Sequence, residues 1–297
     1  MDELGPVLTA MVTPFDAEGN IDFEQAKRLA HALLDSGSDG LVVCGTTGEA
    51  PTISTKEKWR LFAEVKRSVG GRAPVIANSG DNCTADSVQL AREAEEIGVD
   101  GHLLVVPYYN KPPQEGIFRH FEAVARAVKK PCILYNIPSR TGVNMSAETA
   151  LRLSRIPNIV GIKECGELEQ VAQIIAGARD GFRIWYGDDA RLLPMLSVGA
   201  YGVISVASHL VGTQIAGMIQ AYRGGQVDEA AARHRELLPL FQALSLVTNP
   251  IPVKFALNHL GFRVGAPRLP LVEPDERVRE AIAQELGKHR IDLPVPV

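Results

Sequence analysis

Short β-prone runs, mostly apolar, recur along this chain at intervals of roughly thirty residues, and each is followed by a stretch whose apolar positions repeat with helical spacing. The runs predict eight strands, Val7–Thr13, Gly40–Val43, Pro74–Asn78, Gly101–Val106, Pro131–Tyr135, Ile159–Lys163, Arg183–Gly187 and Gly202–Val206. Between them the pattern predicts helices over Asp22–Ser36, Ser54–Val69, Thr84–Ile97, Gln114–Val128 and Ser146–Ser154. Several open on Ser, Thr or Asp, whose side chains satisfy the free N–H groups of a first helical turn. Eight strands alternating with helices predict the α/β class and a (β/α)8 barrel. A doubly wound open sheet competes, but it usually shows a Gly-rich phosphate loop after its first strand, and here that strand runs into Thr13-Pro14-Phe15-Asp16. Beyond the eighth unit the periodicity predicts helices over Gln226–Leu246, Pro252–Leu260 and Asp275–Gly287. Residues 1–224 are therefore read as a catalytic barrel and residues 225–297 as a C-terminal helical extension. No Ser- or Pro-rich linker separates the two, so the extension is expected to pack on the barrel.

Composition narrows the partners. The 297 residues are 45% hydrophobic and 22% charged, with a formal net charge of -4 and both signs interspersed. That balance suggests neither a nucleic-acid footprint nor a polybasic membrane patch, which leaves a small molecule as the expected partner. No apolar run approaches the ~20 residues of a membrane span. The N-terminus lacks a basic segment followed by a long apolar one, so a cytoplasmic location is expected. Cys44, Cys83, Cys132 and Cys165 form no C-x-x-C pair and are read as reduced, mostly buried thiols.

The candidate chemistry starts at Lys163. Residues alternate faces along a strand, so Lys163 is expected to point into the barrel with Gly161 and Ile159, while Val160 and Ile162 face the helices. It stands at the C-terminal end of its strand, where barrel enzymes keep catalytic groups. An amine attacks a carbonyl only when neutral, and apolar surroundings disfavour the ammonium. A surface lysine paired with Glu164 is the competing reading. Alternation also places Tyr135 inward at the end of the preceding strand, where a phenol beside the amine can pass protons; an ordinary core tyrosine would look the same. The loop Gly45-Thr46-Thr47-Gly48-Glu49 offers successive N–H groups for a carboxylate and two hydroxyls, although a plain turn is also consistent with it. After the fifth strand, Arg140 carries a guanidinium able to grip a second carboxylate, unless it is simply a surface arginine.

Taken together and in order, G-T-T-G-E at Gly45–Glu49, P-Y-Y-N at Pro107–Asn110, Y-N-I-P-S-R-T-G at Tyr135–Gly142, G-I-K-E at Gly161–Glu164, G-D-D at Gly187–Asp189 and G-V-I-S at Gly202–Ser205 resemble the dihydrodipicolinate synthase family. Its superfamily also holds N-acetylneuraminate lyase and sugar-acid aldolases, and the resemblance spans nearly the whole chain. It implies condensation of pyruvate with L-aspartate 4-semialdehyde to 4-hydroxy-tetrahydrodipicolinate, the committed step of lysine biosynthesis through diaminopimelate. By resemblance, Lys163 is the Schiff-base nucleophile, Tyr135 the general acid/base, Thr46 a proton-relay hydroxyl and Thr47 a binder of the pyruvate carboxylate. Arg140 would hold the semialdehyde carboxylate, and its S-R-T-G context favours the synthase over sugar-acid lyases. Tyr109 would enter a neighbouring subunit's site, whereas the residues alone suggest that Tyr108 and Tyr109 are packing groups. Gly187 and Ile204 would line the lysine pocket, while Asp188 and Asp189 are expected to cap the next helix.

The resemblance implies no metal and no organic cofactor, since the lysine supplies the electron sink; the seven histidines also form no H-x-H or H-x-x-x-H pair. It further implies a homotetramer built as a dimer of dimers. In lysine-sensitive members of the family, L-lysine binds at the dimer interface, and Asn82, Asp86 and Tyr108 are the matching positions here. Thr55 and Lys58, however, stand where sensitive relatives commonly carry histidines. A cation at Lys58 repels an incoming ammonium, so feedback by L-lysine is expected to be weak or absent. Two alternatives remain, another pyruvate aldolase acting on a sugar acid and a catalytically silent regulatory paralogue.

Overall fold

The structure, a computed structural model, describes residues 4–294; the ends of the two expected segments, residues 1–3 and 295–297, lie outside it. Four regular units open the chain: β1 (Val7–Ala10) with α1 (Phe23–Asp35), β2 (Gly40–Val43) with α2 (Thr55–Val69), β3 (Val75–Asn78) with α3 (Thr84–Ile97), and β4 (Gly101–Val105) with α4 (Gln114–Ala127). The fifth strand, β5 (Cys132–Asn136), is followed by a single helical turn, α5 (Pro138–Thr141), and by α6 (Ala147–Ser154). Then come β6 (Ile159–Glu164) with α7 (Leu168–Gly177), β7 (Arg183–Tyr186) with α8 (Leu192–Ser197), and β8 (Gly202–Ser205) with α9 (Ser208–Arg223). The strands pair in parallel in chain order, and β8 closes on β1. The expected (β/α)8 barrel is the fold.

Local chemistry explains most element ends. Asp22, Ser54 and Ser146 each accept a backbone N–H from the first turn of α1, α2 and α6, and Ser54 with Glu57 completes a reciprocal capping box. Thr84 differs from expectation: it is the first helical residue of α3, Cys83 takes the cap position, and no side-chain cap forms. The first strand stops at Ala10, short of the expected Thr13. Met11 N–H still reaches Val42 O at 3.0 Å, but Val12 N–H is diverted to His209 Nε2 at 3.1 Å, which ends the ladder.

The barrel interior is filled by Leu8, Val42, Ile76, Leu103, Ile133 and Trp185, among others, and two larger apolar clusters fill the space between strands and helices. Gly161 is a requirement of this interior, because a Cβ there would meet the Arg183 carbonyl oxygen and stand 2.7 Å from Trp185 Cζ3. One expected facing is reversed. Ile159 packs in an outer cluster and Val160 in the interior, because β6 carries an extra residue where Cys132 pairs with Ile159 but Ile133 pairs with Gly161. A bulge flips the phase of every side chain on one side of it. Lys163, on the other side, keeps its expected direction.

After α9 the chain forms α10 (Val227–Ala243), α11 (Ile251–His259) and α12 (Glu276–Leu286). Helix α10 lies along α9, and α12 packs on α10 and α11. No helix among the described residues is long and apolar enough to cross a membrane, and no group of three or more His, Cys, Asp or Glu among them is placed to hold a metal ion. All four cysteines are free; Cys44 and Cys132 are buried, Cys165 is half-buried and Cys83 is exposed.

Candidate active site

Lys163 sits one residue before the end of β6, only 5% exposed, and its register partner across the sheet is Tyr135. Its Nζ lies 4.3 Å from the centroid of the Tyr135 ring, over the π face. Among the described residues Nζ has no ion pair. Glu164, the competing partner, points the other way and is held by Asn136 Nδ2 (2.9 Å), Gln170 Nε2 (3.0 Å) and the N–H groups of Cys165 (3.0 Å) and Gly166 (2.7 Å). Burial raises the Glu164 pKa, and these four donors oppose the rise. Two adjacent ionisable residues thus serve different tasks because the strand sends them to opposite faces: the carboxylate ties β5 to β6, and the amine is left for chemistry.

Two loops and a helical turn surround the amine. The segment Gly45–Glu49 follows β2 and is bounded by two non-glycine residues in the left-handed region, Cys44 (φ 57°) and Glu49 (φ 58°). Each such residue costs on the order of 1–3 kcal/mol and persists only where its surroundings impose it. The turn brings Thr46 Oγ1 to 3.5 Å from the Tyr135 hydroxyl, at the edge of hydrogen-bond reach. Thr47, 1% exposed, accepts a 2.9 Å hydrogen bond from Asn249 Nδ2. Arg140 stands on α5, so the expected loop is instead a helical turn closed by Gly142 at φ 73°. Its Nη2 donates to the Asn249 carbonyl at 3.1 Å.

These groups enclose a cavity of about 160 Å³, lined by Thr46, Thr47, Tyr135, Arg140, Lys163 and Gly187 and closed by Phe241 of α10 and by Leu244 and Asn249 of the connection from α10 to α11. Gly187 makes the room. A Cβ there would overlap Cys165 Sγ and stand 3.0 Å from Lys163 Cε. Gly187→Ala is therefore expected to displace the lysine and lower kcat/KM by about 100-fold, the scale of a 1 Å misplacement, and to lower the melting temperature modestly through the crowding of Cys165. Steady-state kinetics beside a thermal melt tests this, and unchanged kinetics would count against it. Burial pushes the Cys165 thiol up to about 12. Asp188 accepts from Ala190 N–H at 3.0 Å, the expected cap, whereas Asp189 reaches across to Ser205 Oγ (2.5 Å) and the N–H groups of Val206 (3.0 Å) and Ala207 (2.9 Å), fastening the turn before α9.

A second, larger cavity of about 540 Å³ shares Thr46, Tyr135, Ile137 and Arg140 with the first. Lys58 and Tyr108 line it, together with Asp81, whose Oδ2 accepts from the Tyr108 hydroxyl at 3.4 Å. Burial, then Asp81, raises the Tyr108 pKa. Asn82 and Asp86 do not line this cavity; the Asn82 carbonyl accepts from Asn110 Nδ2 at 3.0 Å, and Asp86 is exposed in the first turn of α3. Ile204 is buried in the interior, and Val206 rather than Ile204 lines the lysine cavity. Tyr109 is 89% exposed at φ 72°, away from the cavity of its own chain. Asn249 was not anticipated. Its one sequence signal is the Asn-Pro pair that marks a turn, which says nothing about what the side chain touches. Its Oδ1 is buried without a hydrogen-bond partner among the described residues.

The model of the dihydrodipicolinate synthetase family matches residues 3–289. The chain belongs to this family. It is 57% identical over 296 residues to a 4-hydroxy-tetrahydrodipicolinate synthase of Dehalococcoides mccartyi, covering 99% of this chain and 100% of that one. A synthase of the same name from Symbiobacterium thermophilum is 57% identical over 289 residues, covering 97% and 99%. Among solved structures, the dihydrodipicolinate synthase of Cyanidioschyzon merolae with lysine bound superposes with a TM-score of 0.95 at 45% identity, over 96% of this chain and 98% of that one.

Proposed function

We infer that the protein condenses pyruvate with L-aspartate 4-semialdehyde to 4-hydroxy-tetrahydrodipicolinate through a Schiff base on Lys163, as a lyase of lysine and diaminopimelate biosynthesis. The observation that carries this is a buried lysine with no counter-ion among the described residues, stacked on a tyrosine, facing a small cavity in a member of this family. Lys163 Nζ attacks the pyruvate carbonyl carbon, and the carbinolamine oxygen takes a proton and leaves as water. The resulting imine draws electrons from the neighbouring methyl carbon, which loses a proton to give an enamine. That carbon then bonds the aldehyde carbon of the second substrate, whose oxygen takes up a proton. Finally the amine of the semialdehyde adds to the imine carbon, closing the ring and releasing Lys163.

Every step moves a proton; in this reading Tyr135 carries it and Thr46 is the next hydroxyl in line, 3.5 Å from the Tyr135 hydroxyl. Thr47 holds the pyruvate carboxylate, and Gly187 gives the lysine its space, with Ile204 packed in the interior beneath. Arg140 stands where the two cavities meet, suited to the carboxylate of the incoming semialdehyde. We assign Tyr109 to the relay of a second copy, since an exposed aromatic held in a left-handed backbone conformation serves no packing role in its own chain. A homotetramer of paired dimers and a cytoplasmic setting accord with this reading, and no metal or organic cofactor takes part in it.

Turnover assays separate the proposal from a sugar-acid lyase. Aspartate semialdehyde with pyruvate is expected to react, and N-acetylneuraminate and 2-keto-3-deoxygluconate are expected to be inert; cleavage of either sugar acid at a comparable rate would reverse the assignment. The same assay with micromolar L-lysine is expected to run at an unchanged rate. Lys58 lines the larger cavity, and Asn82 and Asp86 do not. Strong inhibition there would overturn the expectation of weak feedback.

A further inference from the structure

We propose that Lys254, on α11 of the C-terminal extension, is a positioning residue for the active site: through the buried carboxylate of Glu49 it holds the Gly45–Glu49 loop so that Thr46 and Thr47 face Lys163. The inference rests on the function proposed above. Lys254 Nζ lies 2.8 Å from Glu49 Oε1, with the two side chains 1% and 0% exposed. The other Glu49 oxygen accepts the Arg268 N–H at 2.8 Å, also from beyond the barrel. Lys254 spends its remaining donors on the carbonyls of Thr13 (3.1 Å) and Ala266 (3.1 Å), and its Nζ lies 4.2 Å from the Phe15 ring centroid. All three ammonium protons are therefore used. Burial lowers the Lys254 pKa, and Glu49 opposes that shift.

Two features tie this pair to the site rather than to general stability. A buried ion pair is often worth no more than a well-packed apolar pair, so net stability alone is a weak account of Lys254 and Glu49. The geometry at stake is unusual: Glu49 is a non-glycine residue at φ 58°, ending the turn that carries Thr46 and Thr47. The same stretch of chain also reaches Thr47 directly through Asn249, five positions before Lys254. Thr13, whose carbonyl Lys254 holds, donates its hydroxyl to the Gly48 carbonyl at 2.7 Å. Lys254 itself does not line the cavity.

The test compares Lys254→Met with the double variant Glu49→Gln/Lys254→Met. The single change strands a buried carboxylate and is expected to lower the melting temperature. The double change removes both charges and is expected to recover most of that loss while leaving the loop untied. In the double variant, KM for pyruvate is expected to rise by about tenfold and trapping of pyruvate by borohydride to slow in proportion, while KM for the semialdehyde stays within about twofold. Lys254→Arg, which keeps the charge, is expected to recover part of the pyruvate KM. A double variant that folds and binds pyruvate as the parent does would overturn the proposal, as would equal rises in both KM values. If the double variant does not fold, the single variant assayed below its melting temperature decides by the same split between the two KM values. The parent protein is trapped alongside: absence of any adduct there would refute the Schiff-base reading, not the positioning role.

Discussion

Lys163→Ala is expected to abolish the covalent adduct that pyruvate and borohydride leave on the protein, and to lower kcat/KM by on the order of 10⁴-fold or more. A loss of that size corresponds to about 5.5 kcal/mol of transition-state stabilisation, in the range seen when a covalent nucleophile is removed. The variant should fold. Among the described residues Nζ has no ion pair, so its removal leaves no buried carboxylate without a partner, and Glu164 keeps its own four donors on the opposite face of the strand. Peptide mapping of the trapped parent protein should place one pyruvate-derived group on the Ile159–Glu164 strand. An adduct that persists in the variant, at whatever residue, would contradict the assignment of Lys163. Lys163→Arg is the companion, since a guanidinium keeps the charge but forms no imine; it should be as inactive as the alanine variant.

Tyr135→Phe is expected to reduce kcat by about 10²–10⁴-fold, the range for loss of a positioned acid/base, with kcat/KM falling in step. The ring stays, so packing within the barrel interior and against Lys163 is kept. What disappears is the hydroxyl facing Thr46. Because the amine remains, borohydride should still trap the adduct on Lys163, only after longer incubation. That contrast separates the two roles: the alanine variant loses the adduct, and the phenylalanine variant loses the speed of forming it. A Tyr135→Phe enzyme with parental kcat would transfer the proton relay to some other group.

The pattern of the chain by itself determined the barrel, because eight β-prone runs alternating with amphipathic helices leave few other ways to bury both faces of each strand. It also determined which face Lys163 and Tyr135 take, since alternation along a strand is a local property that the bulge at Val160 disturbs only on its far side. The strand's own phase also separates Lys163 from Glu164, although only the structure shows the four donors that occupy the carboxylate. Local pattern was silent on Asn249 and Lys254, which meet Thr47 and Glu49 from 202 and 205 positions away. No periodicity links residues so far apart, and a lysine in the apolar run Ile251–Leu257 reads as an oddity until its partner is known. The tertiary structure decided these contacts because a buried charge must find its counter-charge and hydrogen bonds in space, wherever along the chain they come from.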